Sequence, residues 1–312
     1  MSRTLASFCV AAFVLCAAHA ADFEIRQDAE FRRIVPADAK LEKLASGFKF
    51  LEGPTWIGKA DGFLVFSDIP ANQIRKWTRR DGVTIFREPS NGTNGNTTDL
   101  QGRLVCAEHT SRRITVTEAD STIKVVTDRS VDGKRYNSPN DVVVRADGTI
   151  WFTDPPYGLP KDQPREQTAN HVFRYDPKTG QAKPVASDFS MPNGLAFSPD
   201  QRKLYVADSG QPRHIRVFDV NDDGTLADGR VFCRIDKGGP DGIRVDTEGR
   251  VWSSAGDGVH IYAPDGQLIG KILVPESPAN LCFGEDGRTL FITARTGLYS
   301  IRVNATGIGF GK

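Results

Sequence analysis

The feature that most constrains this chain is a unit that recurs six times, at intervals of about forty to fifty residues. Each unit holds a run of β-branched or aromatic residues, a tight turn of Asp-Gly type and a second such run, the pattern of a β-hairpin. Asp61-Gly62 stands before Phe63–Phe66, Gln101-Gly102 before Arg103–Val105, and Asp147-Gly148 before Thr149–Phe152. Pro199-Asp200, Glu248-Gly249 and Asp286-Gly287 hold the same frame ahead of Leu204–Val206, Arg250–Trp252 and Thr289–Ile292. Helix signals are almost absent. A small sheet cannot bury both its faces alone, so such units stack on one another. The spacing predicts an all-β fold, a six-bladed β-propeller with four antiparallel strands per blade around a central channel. An open pair of β-sandwiches shares this periodicity and is the alternative.

Aligning the six turns exposes a second column. Upstream of each, where the first strand begins, stands one oxygen-bearing side chain: Glu52, Asn94, Asn140, Asn193, Asp241 and Asn280. Successive separations are 42, 46, 53, 48 and 39 residues, the length of a four-stranded blade. The segment Lys40 to Lys49 precedes the first unit and is expected to lend an outer strand to the last blade, closing the circle.

In a propeller the first strand of each blade lines the channel, so these six side chains converge on one end of the axis. Two carboxylates in a poorly hydrated throat are costly unless a cation compensates them. Carboxylates and amide carbonyls are what a hard divalent cation takes. No matching His or Cys cluster accompanies them, which disfavours a zinc centre. Taken singly, each Asn-Gly or Asp-Gly reads as turn chemistry. Taken as a set, Glu52, Asn140, Asn193 and Asp241 read as a metal site, with Asn94 and Asn280 as turn or substrate-facing residues.

The remaining composition excludes more than it identifies. Arg3, the apolar run Leu5 to Ala18 and the small-x-small triplet Ala18-His19-Ala20 predict a cleaved signal peptide over 1–20, hence an exported, periplasmic protein. Residues 21–39 are read as an N-terminal extension and 40–312 as the propeller domain. No later segment is long and apolar enough to span a membrane. Without Arg3, basic and acidic residues balance at 39 each, which gives no electrostatic case for nucleic acid as partner. Cys106, Cys233 and Cys282 remain after the leader, and an odd number in a chain this long reads as buried small hydrophobes rather than a disulfide framework. The chain is expected to be a monomer or weak homodimer.

The motifs LEGPTW, NGNTTDLQGRLVCAEH, NSPNDVVV, WFTDPPYG, MPNGLAFSPD and PDGIRVD, in this order between about residues 45 and 300, resemble the regucalcin/gluconolactonase family, specifically its bacterial gluconolactonase branch. The resemblance implies a six-bladed propeller with one central divalent cation, Ca²⁺ first and Zn²⁺, Mn²⁺ or Mg²⁺ as alternatives, and the hydrolysis of lactones. It places metal ligands on Glu52, Asn193 and Asp241, and puts Asn140 at a fourth position that ligates or contacts substrate.

Strand direction carries further residues to the same face. Asp68, His109, Asp154 and Asp208 follow the second strands and form a polar rim. His109 is a candidate to move a proton or hold a substrate hydroxyl, with a hydrogen-bonded rim histidine as the alternative. Asp154 is a candidate substrate contact or a cap for the Pro155-Pro156 turn. The third unit carries a long insertion, Pro155 to Asn170, expected to overhang the site as a lid that brings Tyr157 to the substrate. The expected chemistry is metal-assisted hydrolysis of a sugar lactone, D-glucono-1,5-lactone first, with Asp241 as general base or nucleophile and Asn94, Asn140 and the rim selecting hydroxyls. Another ester or phosphoester hydrolase on the same site, or a non-catalytic calcium-binding propeller, are the competing expectations.

Overall fold

A computed structural model describes residues 18–20, 22–211 and 213–310. Six antiparallel sheets follow one another along the chain, each running from an innermost strand outward. Their innermost strands are Leu51–Ile57, Thr93–Thr98, Val142–Val144, Pro192–Phe197, Ile243–Val245 and Pro278–Gly284, which define blades 1 to 6. Each innermost strand touches the next, and that of blade 6 touches that of blade 1. The ring is therefore closed, and the six-bladed propeller expected from the repeat is the fold.

The turns between first and second strands behave as their residues dictate. Gly102, Gly148, Gly249 and Gly287 adopt positive φ, the region glycine enters without a Cβ clash. In blade 4 Gln201 takes the same conformation at φ 57°. Acidic residues just before these turns satisfy the exposed backbone: Asp147 Oδ1 accepts from Thr149 N, and Asp246 Oδ1 from Glu248 N and Arg250 N.

Alternation along the strands builds the core. In blade 1, Leu64 and Phe66 pack toward blade 6, while Val65 between them packs toward blade 2. Six hydrophobic clusters result, one at each blade interface. Cys106, Cys233 and Cys282 are buried free thiols within three of them, as expected. Closure uses the N-terminal side of the chain. Lys40–Ser46 pairs with Gly297–Arg302 as the outer strand of blade 6, as the sequence predicts.

The 21–39 segment is part of the folded body. Phe23–Ile25 adds a fifth strand to blade 5, and a helix at Asp28–Ile34 buries Phe31 and Ile34 in the cluster shared by blades 5 and 6. The expected leader falls almost wholly outside the described residues. Only the backbone of Ala18–Ala20 is described, pairing with Lys40–Glu42 at the edge of blade 6. No helix among the described residues is long and apolar enough to cross a membrane.

Candidate active site

Glycine is what brings the column together. Glu52, Asn94, Asn193 and Asp241 are each followed by Gly, and these glycines lie within or beside the innermost strands, not in hairpin turns. A Cβ on Gly53 would sit 2.0 Å from the Asn94 carbonyl oxygen, and one on Gly242 would sit 2.1 Å from Asn280 Cγ. Neither could exist without the blades moving apart. The approach lets main chains hydrogen-bond across blades: Gly95 N donates to Asn140 O at 2.8 Å, Gly194 N to Asp241 O at 3.1 Å, and Gly242 N to Ala279 O at 2.8 Å. Hydroxyls from the second strands satisfy other carbonyls of the ring, Ser67 Oγ on Asn94 O and Ser254 Oγ on Ala279 O, each at 2.7 Å.

Around this hub the side chains are not equivalent. Glu52 is buried, and its Oε2 accepts from Gly53 N at 2.8 Å and from Asn280 Nδ2 at 3.1 Å. Asp241 keeps some exposure, yet its Oδ1 is buried and has no hydrogen-bond partner. The Asn193 amide reaches both Asp241 and Ser209, its Nδ2 donating to Ser209 Oγ at 2.9 Å. Burial pushes the Glu52 carboxyl up to about 7, and the charge of Asp141 adds to the rise. Asp241 is held well above the ordinary carboxylate range by burial first, then by Glu52 and Asp141. Asp241 thus has no positive charge to favour its ionised form, and for Glu52 the partial offset from Arg244 does not overcome burial.

That deficit tests whether a cation suits the site. The converging donors are two carboxylates and amides, all oxygen, and one carboxylate oxygen is orphaned in a buried position. Among the described residues, no group of three or more His, Cys, Asp or Glu forms a metal cluster. The Glu52 and Asp241 carboxylates with the neighbouring amide oxygens are donors of the type hard cations take. Glu52, Asn193 and Asp241 could hold such an ion, with Asn140, buried beside them at the hub, as a further oxygen.

The other sequence candidates separate. Asn280 donates to Glu52 and, at 3.5 Å, to Asp141, while its own Oδ1 accepts from Leu281 N. It is a brace between carboxylates. Asn94 Nδ2 lies 3.1 Å from His109 Nε2. With the amide so oriented, Nε2 accepts and the ring proton sits on Nδ1. Burial pushes His109 down to about 4, so it is neutral at neutral pH. Asp154 is buried with both oxygens committed, to Asn137 N at 2.7 Å and Ser138 N at 2.8 Å. Its hydrogen bonds are those of a latch on the segment that leads into its own blade. Asp208 does the same for Ser190 N and Met191 N, and Asp68 for Lys49 N and Phe50 N.

The 155–170 insertion does overhang the hub. Half of Tyr157 remains exposed, but its hydroxyl end is turned inward, toward Ser209, Asn193 and Asp241. Burial, the largest effect, and the Asp241 charge raise its pKa. Gly158 lies flat on the His109 ring, where a Cβ would meet His109 Cγ at 2.3 Å. The base of the insertion is pinned: fully buried Arg112 donates to Tyr136 O and Gln163 Oε1, and Arg135 N donates to Glu166 Oε2. Arg112 is therefore an internal strut.

Three residues escaped the sequence reading: Asp141, Arg244 and Ser209. Asp141 follows the blade 3 column residue, in the place where blades 1, 2, 4 and 5 carry Gly. Arg244 is the one basic residue in the six innermost strands. Those two departures from the repeat were the available signals. Ser209, just after Asp208, carried none.

With this geometry in place, comparison with known proteins is informative. Residues 50–296 match the family model described as the SMP-30/Gluconolactonase/LRE-like region. A gluconolactonase of Zymomonas mobilis is 37% identical over 302 residues, spanning 88% of this chain and 84% of that one. The solved structure of a Xanthomonas campestris gluconolactonase superposes with a TM-score of 0.85 at 38% identity, covering 92% of this chain and 97% of the other. Regucalcin from Agrobacterium tumefaciens, a calcium-binding protein, shares the fold at TM-score 0.70 and 21% identity over 86% of this chain and 94% of its own. The family model spans most of the chain, and the chain belongs to the SMP-30/gluconolactonase/LRE-like family.

Proposed function

We propose that this protein is a carboxylic ester hydrolase that opens a sugar lactone with the help of one divalent cation. The observation that carries the reading is the buried, unpartnered Oδ1 of Asp241 beside Glu52 and Asn193. Family membership and the similarity to gluconolactonases support the substrate class, and D-glucono-1,5-lactone, met in the periplasm after export, is the first substrate to test. Ca²⁺ is the first ion to test, on the all-oxygen donor set.

Bound between Glu52, Asn193, Asp241 and Asn140, the ion would polarise a carbonyl and stabilise negative charge developing on its oxygen. The chain's own groups account for the rest. Asp241 has one carboxylate oxygen to spare for the reaction, as base toward a water or as nucleophile toward the lactone carbonyl. As base it takes one proton from water while the new C–O bond forms and the ring C–O bond breaks, and the proton returns to the leaving hydroxyl. Glu52 is held by Gly53 N and Asn280, so its remaining oxygen keeps a fixed aim. Neutral His109, its Nε2 engaged by Asn94, offers an Nδ1–H donor to the sugar hydroxyls, and the Tyr157 hydroxyl offers both donor and acceptor.

The test is hydrolysis of D-glucono-1,5-lactone, followed by acid release, with and without a chelator. The reading requires activity that chelator removes and Ca²⁺, Mn²⁺ or Zn²⁺ restores. Undiminished rates in chelator would remove the cation from the chemistry. Turnover of phosphotriesters with none of lactones would move the protein to the competing hydrolase class.

A further inference from the structure

The hub holds more charge than the ligand set uses. Besides Glu52 and Asp241 there is Asp141, buried at the head of the innermost strand of blade 3. Its Oδ1 accepts from Val142 N at 2.9 Å, and its Oδ2 faces Asn280 Nδ2 at 3.5 Å and Arg244 Nη1 at 3.7 Å. Arg244 projects into the channel from blade 5, tethered by a hydrogen bond from Nη1 to Ile243 O at 2.7 Å. Arg244 also lines a cavity of about 590 Å³, with Trp56, Thr97, Thr98 and Cys282. Those residues follow the column residues along their strands, so the cavity lies deeper along the axis than the hub. Arg244 thus stands between the hub and the channel interior.

Taking the cation reading above as its basis, we propose that Arg244 is a built-in counter-charge that, through Asp141, matches the hub to a divalent ion and against a trivalent one. Three carboxylates against one guanidinium leave two negative charges, which one dication neutralises. Without Arg244 three would remain, and the extra attraction would favour a trication over a dication. Coulomb energies at hub distances make that preference on the order of tenfold per unit charge or more. Asp141 and Arg244 need touch neither ion nor substrate. They act by setting the potential in which Glu52 and Asp241 bind.

The measurement is Tb³⁺ luminescence on the full chain, with Ca²⁺ competing for the site, and the readout is the ratio of the two affinities. Arg244→Met should raise the Tb³⁺ preference about tenfold or more, whereas Arg244→Lys should leave it near the wild-type value. Asp141→Asn should lower it by a similar factor, and Asp141→Asn with Arg244→Met should restore it. Thermal melts confirm folding, and if Arg244→Met does not fold, Asp141→Asn alone decides the question with the opposite sign. A ratio unchanged within twofold in the folded variants overturns the proposal while the cation reading survives. A wild-type protein that binds neither ion overturns the cation reading itself, and this inference with it.

Discussion

Two sets of acidic residues lie at the same end of the propeller, one strand apart. Asp68, Asp154 and Asp208 close the second strands of blades 1, 3 and 4, and Glu52, Asp141 and Asp241 stand at or beside the heads of the first strands of blades 1, 3 and 5. Strand pairing sets Asp68 opposite Leu51 and Asp208 opposite Pro192, so the sets are near neighbours. Every member of the outer set gives its carboxylate to two backbone N–H groups of the segment leading into its own blade. In the hub pair the donors are unevenly spread: both of those on Glu52 sit on Oε2 and Asp241 Oδ1 has none, while burial and neighbouring carboxylates, Asp141 for Glu52 and Glu52 with Asp141 for Asp241, raise both carboxyls. Position on the functional face does not by itself distinguish a reactive carboxylate from a latch. The spread of its hydrogen bonds does, because a buried carboxylate with donors on both oxygens has little left for a ligand, whereas one with an unsupplied oxygen still has an acceptor to offer.

Substitution should separate the two sets cleanly. Asp241→Asn should lower kcat/KM for lactone hydrolysis by about 10³-fold or more, the scale of losing a general base or nucleophile. Its melting temperature without metal should hold or rise, since an uncompensated buried carboxylate is removed. Asp154→Ala should do the reverse. It strands two buried N–H groups, costs on the order of 2 kcal/mol and lowers the melting temperature by several degrees. Cation affinity by calorimetry should stay within a few-fold. A stable Asp154→Ala protein that has lost its cation would erase the distinction.

Proton competition sharpens the same contrast. Glu52 holds its proton more tightly folded than unfolded, with a folded value of about 7. The metal-free protein therefore keeps that contribution below the ordinary carboxyl range and loses it as pH rises through about 7. Cation affinity must run the other way, falling up to about tenfold per pH unit below 7 for each proton displaced. Calorimetric titrations from pH 5 to 8 would show it, and flat affinity across that range would contradict the raised carboxyls. The smallest effect belongs to the overhanging insertion. Tyr157→Phe removes one hydroxyl facing Asn193 and Ser209 and should raise KM about threefold to tenfold with little change in kcat, read from steady-state curves.

The sequence made the ring legible because its signals repeat. Six turns and six oxygen-bearing residues fall in one frame, and Lys40 to Lys49 was left over to complete blade 6. The strand Phe23–Ile25 and the seven-residue helix Asp28–Ile34 were not legible, since such short elements show no measurable period. The convergence of Glu52, Asn193 and Asp241 could be read from alignment of the turns. The glycines beside them could not, because the same Asn-Gly and Asp-Gly pairs also spell turns, and only the approach of neighbouring blades shows why Cβ is forbidden. Asp141 was hidden by standing one place beyond the aligned column. The bonding of Asp154 was hidden because its partners, Asn137 and Ser138, precede it by a full hairpin.

The most direct measurement is a calorimetric titration of Ca²⁺ into chelator-stripped protein near pH 8, run beside Asp241→Asn. One ion per chain in the wild type, and none at the same concentrations in the variant, is the result expected of a cation seated at the hub. An absence of binding in the wild type, or equal binding in both proteins, would contradict it.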